Sequence, residues 1–225
     1  MSWYKGWDKV FKKYQWGKYP AEPLMRYICK NYKDYKKNIY TNALEIGCGT
    51  GANLCFLARE NFSVFGIDGS KIAVTKAKQY LKKENYSAEI KCGDVMTLPY
   101  PDNFFGIIID IECLCANSFV DSKSIIKEVY RVLKPNGIFF SLTFSTKTWG
   151  YGLGKNYKNE KNTFTNLKEG ALTNKDYGII RFSSKKNIYG LYKTFELKSL
   201  EKVSRTLNNT KNLIEEWVVI CQKKI

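Results

Sequence analysis

Between Ala43 and Phe144, short apolar runs alternate with stretches in which apolar residues recur every three or four positions. That alternation is the pattern of buried parallel strands joined by crossover helices. Residues 43–46 read as a first strand. A helical face follows from Asn53 to Ala58 and closes at Asn61, a residue type that tolerates the left-handed conformation at a helix end. Residues 64–68 are a second strand, and Ser70 is placed to cap a helix reaching about Lys83, with Ile72, Ala73, Lys76 and Ala77 at helical spacing. Residues 88–92 and 106–110 are the third and fourth strands, the latter an unbroken apolar run suited to cover on both faces. The spacing of Ile125, Ile126, Val129 and Leu133 predicts a helix over 122–134, ended by the turn "KPNG" before a strand over 138–144. Residues 144–183 show glycines, aromatics and no clean period, and loops of such length inside a compact domain are commonly functional. The chain closes on "LKSLEKVSRTL", "NNTKN" and "LIEEWVVICQKK", which read as an antiparallel hairpin.

Composition narrows this picture to one α/β domain. A chain of 225 residues can bury one sizeable core, and 44% hydrophobic with 15% aromatic content excludes a mostly disordered polymer. No window approaches the ~20 apolar residues that span a bilayer, and the first residues lack an apolar run behind their charges, so a cytoplasmic protein without a membrane span is expected. Seven cysteines, scattered and mostly inside apolar runs (Cys29, Cys48, Cys55, Cys92, Cys221), read as buried thiols of a reducing compartment. With no histidine and only Cys113 and Cys115 close together, no zinc-ligand spacing exists, and no metal is expected.

The candidate chemistry lies in "ALEIGCGTGANL", residues 43–54. Gly47, Gly49 and Ala52 fit the dinucleotide pattern G-x-G-x-x-G/A, and Asp68 stands 21 residues after Gly47, where a ribose-binding acid belongs. A phosphate loop of the Gly-Lys-Ser/Thr type is excluded, because Gly51 is followed by Ala52 and Asn53. Glu45 separates the remaining readings. Two residues before the first glycine, its carboxylate would repel a pyrophosphate and attract a cationic amine and a sulfonium. S-adenosylmethionine carries both cations and no phosphate. The glycines then bring the backbone against the methionyl part, Asp68 holds the ribose hydroxyls, and Asp94 in "KCGDVMTLP" reaches the adenine amino group.

Four stretches, "LEIGCGTG", "VFGIDGS", "CGDVMTLPYPDNFFGIIID" and "VYRVLKPNGIFFSLTF", resemble in order the successive motifs of the class I S-adenosylmethionine-dependent methyltransferases, over Ala43 to Phe144. The resemblance implies a Rossmann-like α/β fold: a seven-stranded sheet, mostly parallel with its last strand antiparallel, and helices on both faces. It implies a single methyltransferase domain over 1–225, with an aromatic and basic N-terminal cover (1–42), a cofactor-binding core (43–143), an acceptor-side insertion (144–193) and a C-terminal hairpin (194–225). Carried over, Glu45, Gly47, Gly49 and Gly51 line the methionyl end, with Cys48 and Asn53 beside them. Asp68 takes the ribose, Gly69, Ser70, Asp94 and Val95 flank the adenine, and Asp110 and Ile111 close over the cofactor. Many relatives place a histidine shortly after the fourth strand; "DIECLCANSF" has none, so no general base can be copied.

Methyl transfer from a sulfonium is an in-line displacement, so positioning the nucleophile does most of the work. Glu112 is the candidate base or orienter of the acceptor, beside a plainer reading in which it binds a backbone amide or a lysine. The net charge of +16 avoids the glycine-rich part: residues 1–42 and 121–225 are basic, whereas 43–120 is slightly acidic. That excess points to a small anionic or nucleotide-linked acceptor, with surface-polysaccharide synthesis as one setting, unless the lysines are only solvated surface. RNA is an alternative favoured by charge and aromatics, as is a non-catalytic binding protein on the same fold. Against RNA, lysine rather than arginine supplies most of the charge. Trp3, Trp7 and Phe11 fall at helical spacing and read as packing; Tyr14 and Trp16, near the turn "GKYP", are placed as cofactor cover.

Overall fold

The computed structural model describes residues 4–14, 17–170 and 178–225. In chain order its elements are α1 (Gly6–Lys13), α2 (Glu22–Asn31), α3 (Tyr35–Asn38), β1 (Asn42–Ile46), α4 (Ala52–Arg59), β2 (Ser63–Asp68), α5 (Lys71–Lys83), β3 (Glu89–Cys92), β4 (Phe105–Ile111), a 3-10 turn (Leu114–Ala116), α6 (Phe119–Val132), β5 (Leu133–Phe144), β6 (Lys155–Asn156), β7 (Thr163–Thr165), β8 (Ile179–Arg181), α7 (Lys185–Leu191), β9 (Glu196–Leu207) and β10 (Asn212–Gln222).

Seven strands form one sheet in the order β3-β2-β1-β4-β5-β10-β9. β1 to β5 run parallel, and β10 lies antiparallel to both β5 and β9. This is the expected Rossmann-like sheet with its reversed last strand. Because successive side chains of a strand point to opposite faces, Leu44, Ile108 and Phe139 enter one core layer with Ile125 and Val129 of α6 and Ile188 and Leu191 of α7. Ala43, Ile107 and Phe140 enter the other, with Leu24 and Ile28 of α2, Leu54 and Leu57 of α4, and Val74 and Ala77 of α5. Each fully buried Leu, Ile or Phe contributes roughly 1.5–3 kcal/mol, and both faces are needed because parallel strands have no solvated side.

The three-stranded sheet β6-β7-β8 lies within the stretch that shows no period in the sequence. Phe164, Ile180 and Phe182 of this region pack on Cys115, Phe144 and Ile214, forming a third, smaller core. Strands of two or three residues are too short to print a period of two, which is why the pattern there was unreadable.

Several boundaries differ from expectation. α6 starts at Phe119, not Ser122: the Ser118 hydroxyl caps it by accepting from the Asp121 N–H, while the Ser122 hydroxyl donates to the Leu114 carbonyl. "KPNG" makes no free turn. It is the irregular start of β5, with Asn136 at φ 63° and a break in the pairing with β4. α7, unread in the sequence, is fixed by a capping box in which Ser184 and Asn187 satisfy one another's backbone N–H groups. Cys29 and Cys92 are exposed rather than buried. No helix among the described residues is long and apolar enough to cross a membrane.

Candidate active site

The carboxyl ends of β1, β2 and β4 meet at the turn that opens α4. The N–H groups of Gly47 and Cys48 both donate to the Ile67 carbonyl, at 2.8 and 3.1 Å, which folds the turn back over β2. Gly47, Gly49 and Gly51 all have positive φ (66°, 51°, 88°), a region costly for residues with a Cβ. Two of them are also required by close approach. A Cβ on Gly47 would stand 2.6 Å from both Cβ and Sγ of Cys113, and one on Gly51 would stand 3.0 Å from the Cβ of Ala77. Gly51 therefore works in the packing of α4 against α5, behind the cleft rather than in its wall.

Glu45 is buried to 2% exposure. Its Oε1 accepts from Asn53 Nδ2 at 2.6 Å, and its Oε2 has no hydrogen-bond partner among the described residues. Burial pushes its pKa up to about 8, with Asn53 opposing and Asp68 and Asp110 adding to the rise. Asn53 in turn accepts from the Ala21 N–H, which ties the start of α2 to the same spot. Asp68 has both oxygens engaged by backbone: Oδ2 accepts from Gly49 N–H at 2.9 Å and Oδ1 from Ser70 N–H at 2.8 Å. Burial raises its pKa, and those two N–H groups pull it back.

A cleft of about 1100 Å³, its open mouth included, lies over this turn. Of the residues expected at the cofactor, Glu45, Gly47, Cys48, Gly49 and Asn53 line it, as do Asp68, Gly69, Val95 and Ile111. Glu112 lines it at the far side. Its backbone is left-handed at φ 60°, and its N–H donates to the Leu142 carbonyl. Burial, followed by the neighbouring Glu216, drives its pKa well above the carboxylate range, and the carboxyl of Glu216 is raised too, mainly by burial.

The structure sets other expected residues outside the cleft wall. Asp110 is fully buried and serves the 3-10 turn: Oδ1 accepts from the Cys113 and Leu114 N–H groups at 2.9 and 3.0 Å, and Oδ2 from the Ser141 hydroxyl. Burial raises its pKa to about 6 against those donors. Ser70 caps α5 through Ala73 N–H, and its hydroxyl donates to Asp8 of α1. Asp94 accepts from the Met96 N–H, while its neighbours Gly93 and Val95 face the cleft. Tyr14 is 42% exposed at the end of α1, away from the lining, and Trp16 lies outside the described residues.

The cover instead comes from α1 and β8. Trp7 and Phe11, stacked with centroids 5.7 Å apart, line the cleft with Tyr4, so their helical spacing marks a cleft wall as well as packing. Lys76 donates to the Phe11 carbonyl and Tyr80 to that of Lys18, which holds this segment on α5. Ile179 and Ile180 close the other side, beside Cys113, Cys115 and Asn117. Arg181, fully buried, latches β8 in place by donating to the Leu114 and Asn117 carbonyls and to the hydroxyls of Ser122 and Ser183. Nothing local in the sequence marks these contacts. Among the described lining residues three carboxyl groups appear and no lysine or arginine.

Residues 44–141 match the model of a methyltransferase domain. The chain is 31% identical over 143 residues to the sterol 24-C-methyltransferase of Saccharomyces cerevisiae, covering 57% of this chain and 37% of that protein. It is 34% identical over 113 residues to the demethylmenaquinone methyltransferase of Lactobacillus johnsonii, covering 48% and 46%. The chain thus matches less than half the length of these curated relatives. A SAM-dependent methyltransferase of Methanosarcina mazei shares the fold with a TM-score of 0.72 at 23% identity, over 92% of this chain and 99% of that one.

Proposed function

The chain carries a class I S-adenosylmethionine-dependent methyltransferase domain, and from that premise we propose that the whole protein transfers a methyl group from S-adenosylmethionine to a small, largely apolar and non-anionic acceptor. The observation that carries the cofactor reading is the orphaned, buried Oε2 of Glu45 beside a glycine turn. An unpartnered carboxyl oxygen in such a place is costly unless a ligand cation meets it. Glu45 and Asn53 would hold the methionyl end, and Asp68, with Gly69 and Val95, the nucleoside end. When bound, the sulfonium supplies an activated methyl group; the protein positions the nucleophile and excludes water with Trp7, Phe11 and Ile180.

The lining favours a different acceptor from the anionic, nucleotide-linked one that the basic excess suggested. An anion entering the cleft would find no lysine or arginine among the described lining residues to pair with, beside the carboxyl groups of Glu45, Asp68 and Glu112. Lys155, Lys158, Lys161 and Lys168 of the insertion are exposed and belong to the solvated surface, which also weakens the RNA reading. The two curated relatives are named for sterol and menaquinone substrates, and an apolar acceptor suits the aromatic and aliphatic walls here.

Calorimetric titration with S-adenosylhomocysteine tests the reading. Wild type should bind, and Asp68→Asn should bind at least ~10-fold more weakly, the scale of one lost charge-assisted hydrogen bond. Absence of binding by the wild type would return the chain to the non-catalytic scaffold reading.

A further inference from the structure

Glu112 has a partner that no sequence motif reveals. Glu216 sits on β10 opposite Phe144 of β5, so the reversed last strand delivers a second carboxyl to the end of β4. The two carboxyls lie within reach of one another, and the contact raises Glu112 while it lowers Glu216, which puts the proton on Glu112. Apart from that contact, no N–H or O–H donor among the described residues reaches the buried Oε1 of Glu216. Two ionised carboxylates cannot bond one another, since both are acceptors only. One proton between them resolves the conflict and leaves the pair with a single negative charge, as in other carboxyl dyads. Among the described residues, the charged groups felt most by the pair are Arg205 from β9 and Asp110 from β4, with Cys115 of the 3-10 turn and the buried Arg181 of β8 next to them.

Resting on the methyltransferase reading above, we propose that Glu112 and Glu216 act as a one-proton carboxyl pair, Glu112 taking the proton of the acceptor's nucleophile and Glu216 positioning and tuning it. The acceptor is then a compound whose nucleophilic atom bears a hydrogen, an amine, hydroxyl or activated C–H, and not a phosphate or carboxylate. The balance is simple. The nucleophile's electron pair forms the bond to the methyl carbon as the carbon–sulfur bond breaks toward sulfur. The proton released from the nucleophile passes to the free oxygen of Glu112 as the proton already held on Glu112 crosses to the ionised carboxylate of Glu216, giving a neutral pair that returns one proton to solvent. An acceptor whose attacking atom is itself a carboxylate or phosphate oxygen would give up no proton and would leave the pair without a task. It would also have to enter a cleft with no basic lining residue among those described.

The test combines two measurements on wild type, Glu112→Gln and Glu216→Gln. First, 13C NMR of carboxyl-labelled glutamate follows the pair in protein loaded with S-adenosylhomocysteine. The expected result is a Glu112 titration above the ordinary carboxylate range that moves down by at least ~1 pH unit in Glu216→Gln, the scale of coupled carboxyls. Second, a donor with a tritiated methyl group is offered to amines, phenols and quinols, and separately to carboxylates and phosphomonoesters. Turnover on the first set, reduced roughly 100-fold or more in Glu112→Gln, with the acid limb of kcat/KM shifted to lower pH in Glu216→Gln, supports the proposal. Independent titration of both groups near the ordinary carboxylate value overturns it, as does turnover confined to the anionic set or unaffected by Glu112→Gln. If no compound turns over, the titration decides. Failure of wild type to bind S-adenosylhomocysteine sinks the methyltransferase reading instead, and the carboxyl titration can still be read on the free protein.

Discussion

Replacing Glu45 by Gln should make the ligand-free protein more stable at neutral pH, and increasingly so as pH rises. Glu45 titrates at about 8 in the folded protein against an ordinary 4.5, chiefly because burial removes water from its charge. Between those values the folded state holds a proton that the unfolded state has lost. Stability from this group is therefore fully present below pH 4.5 and declines until about pH 8. Each unit is worth about 1.4 kcal/mol, so the whole window amounts to roughly 5 kcal/mol as an upper bound, a large share of the ~5–15 kcal/mol that holds a domain together. Urea unfolding of both proteins at pH 5.5 and 7.5 should show the difference between variant and wild type growing by about 2–3 kcal/mol in the variant's favour. The same proton reports ligand binding. An ammonium opposite Oε2 favours the ionised form, so calorimetry near pH 7 in buffers of different ionisation enthalpy should register proton release for wild type and less for the variant. Stability curves that stay parallel across this range would refute the argument that Glu45 is buried protonated.

Gly47→Ala combines a left-handed φ, about 1–2 kcal/mol, with a Cβ 2.6 Å from Cys113, about 1–3 kcal/mol of overpacking; thermal unfolding should show a loss of a few kcal/mol and calorimetry a weakened grip on S-adenosylhomocysteine. An unchanged melting curve would mean that the turn relaxes freely. Arg181→Met leaves the Asn117 carbonyl without its side-chain donor, at about 1–3 kcal/mol, and takes one donor from the Leu114 carbonyl, which keeps the Ser122 hydroxyl, at about 0.5–1.5 kcal/mol, partly offset by relief of the buried charge. A net loss of about 2–3 kcal/mol in urea unfolding is expected, with faster proteolysis between residues 150 and 170; equal protease resistance would show that β8 is held by its apolar contacts alone.

How far the site was legible depended on whether its cause was local. The glycine turn could be read because positive φ is a property of single residues and of their spacing, and Asp68 because it ends a strand whose length is written in its apolar run. Asp110 misled for the same reason. It ends β4 as Asp68 ends β2, but the 3-10 turn after it offers two N–H groups and Ser141 a hydroxyl, so the carboxyl turns inward. Trp7 and Phe11 carried a helical period that fits packing and cleft wall equally; which one prevails depends on α1 resting against α5.

The chain's own pattern thus determined an α/β sheet with a glycine turn after its first strand and an acid at the end of its second, and pointed to a cationic cofactor, since periodicity, backbone strain and charge act over a few residues. The surroundings of Glu112 were decided by tertiary structure alone. Glu112 and Glu216 are distant in sequence and become a pair only because β10 runs back beside β5. The strong net positive charge stays out of the described cleft wall because lysine side chains reach solvent more cheaply than they are buried.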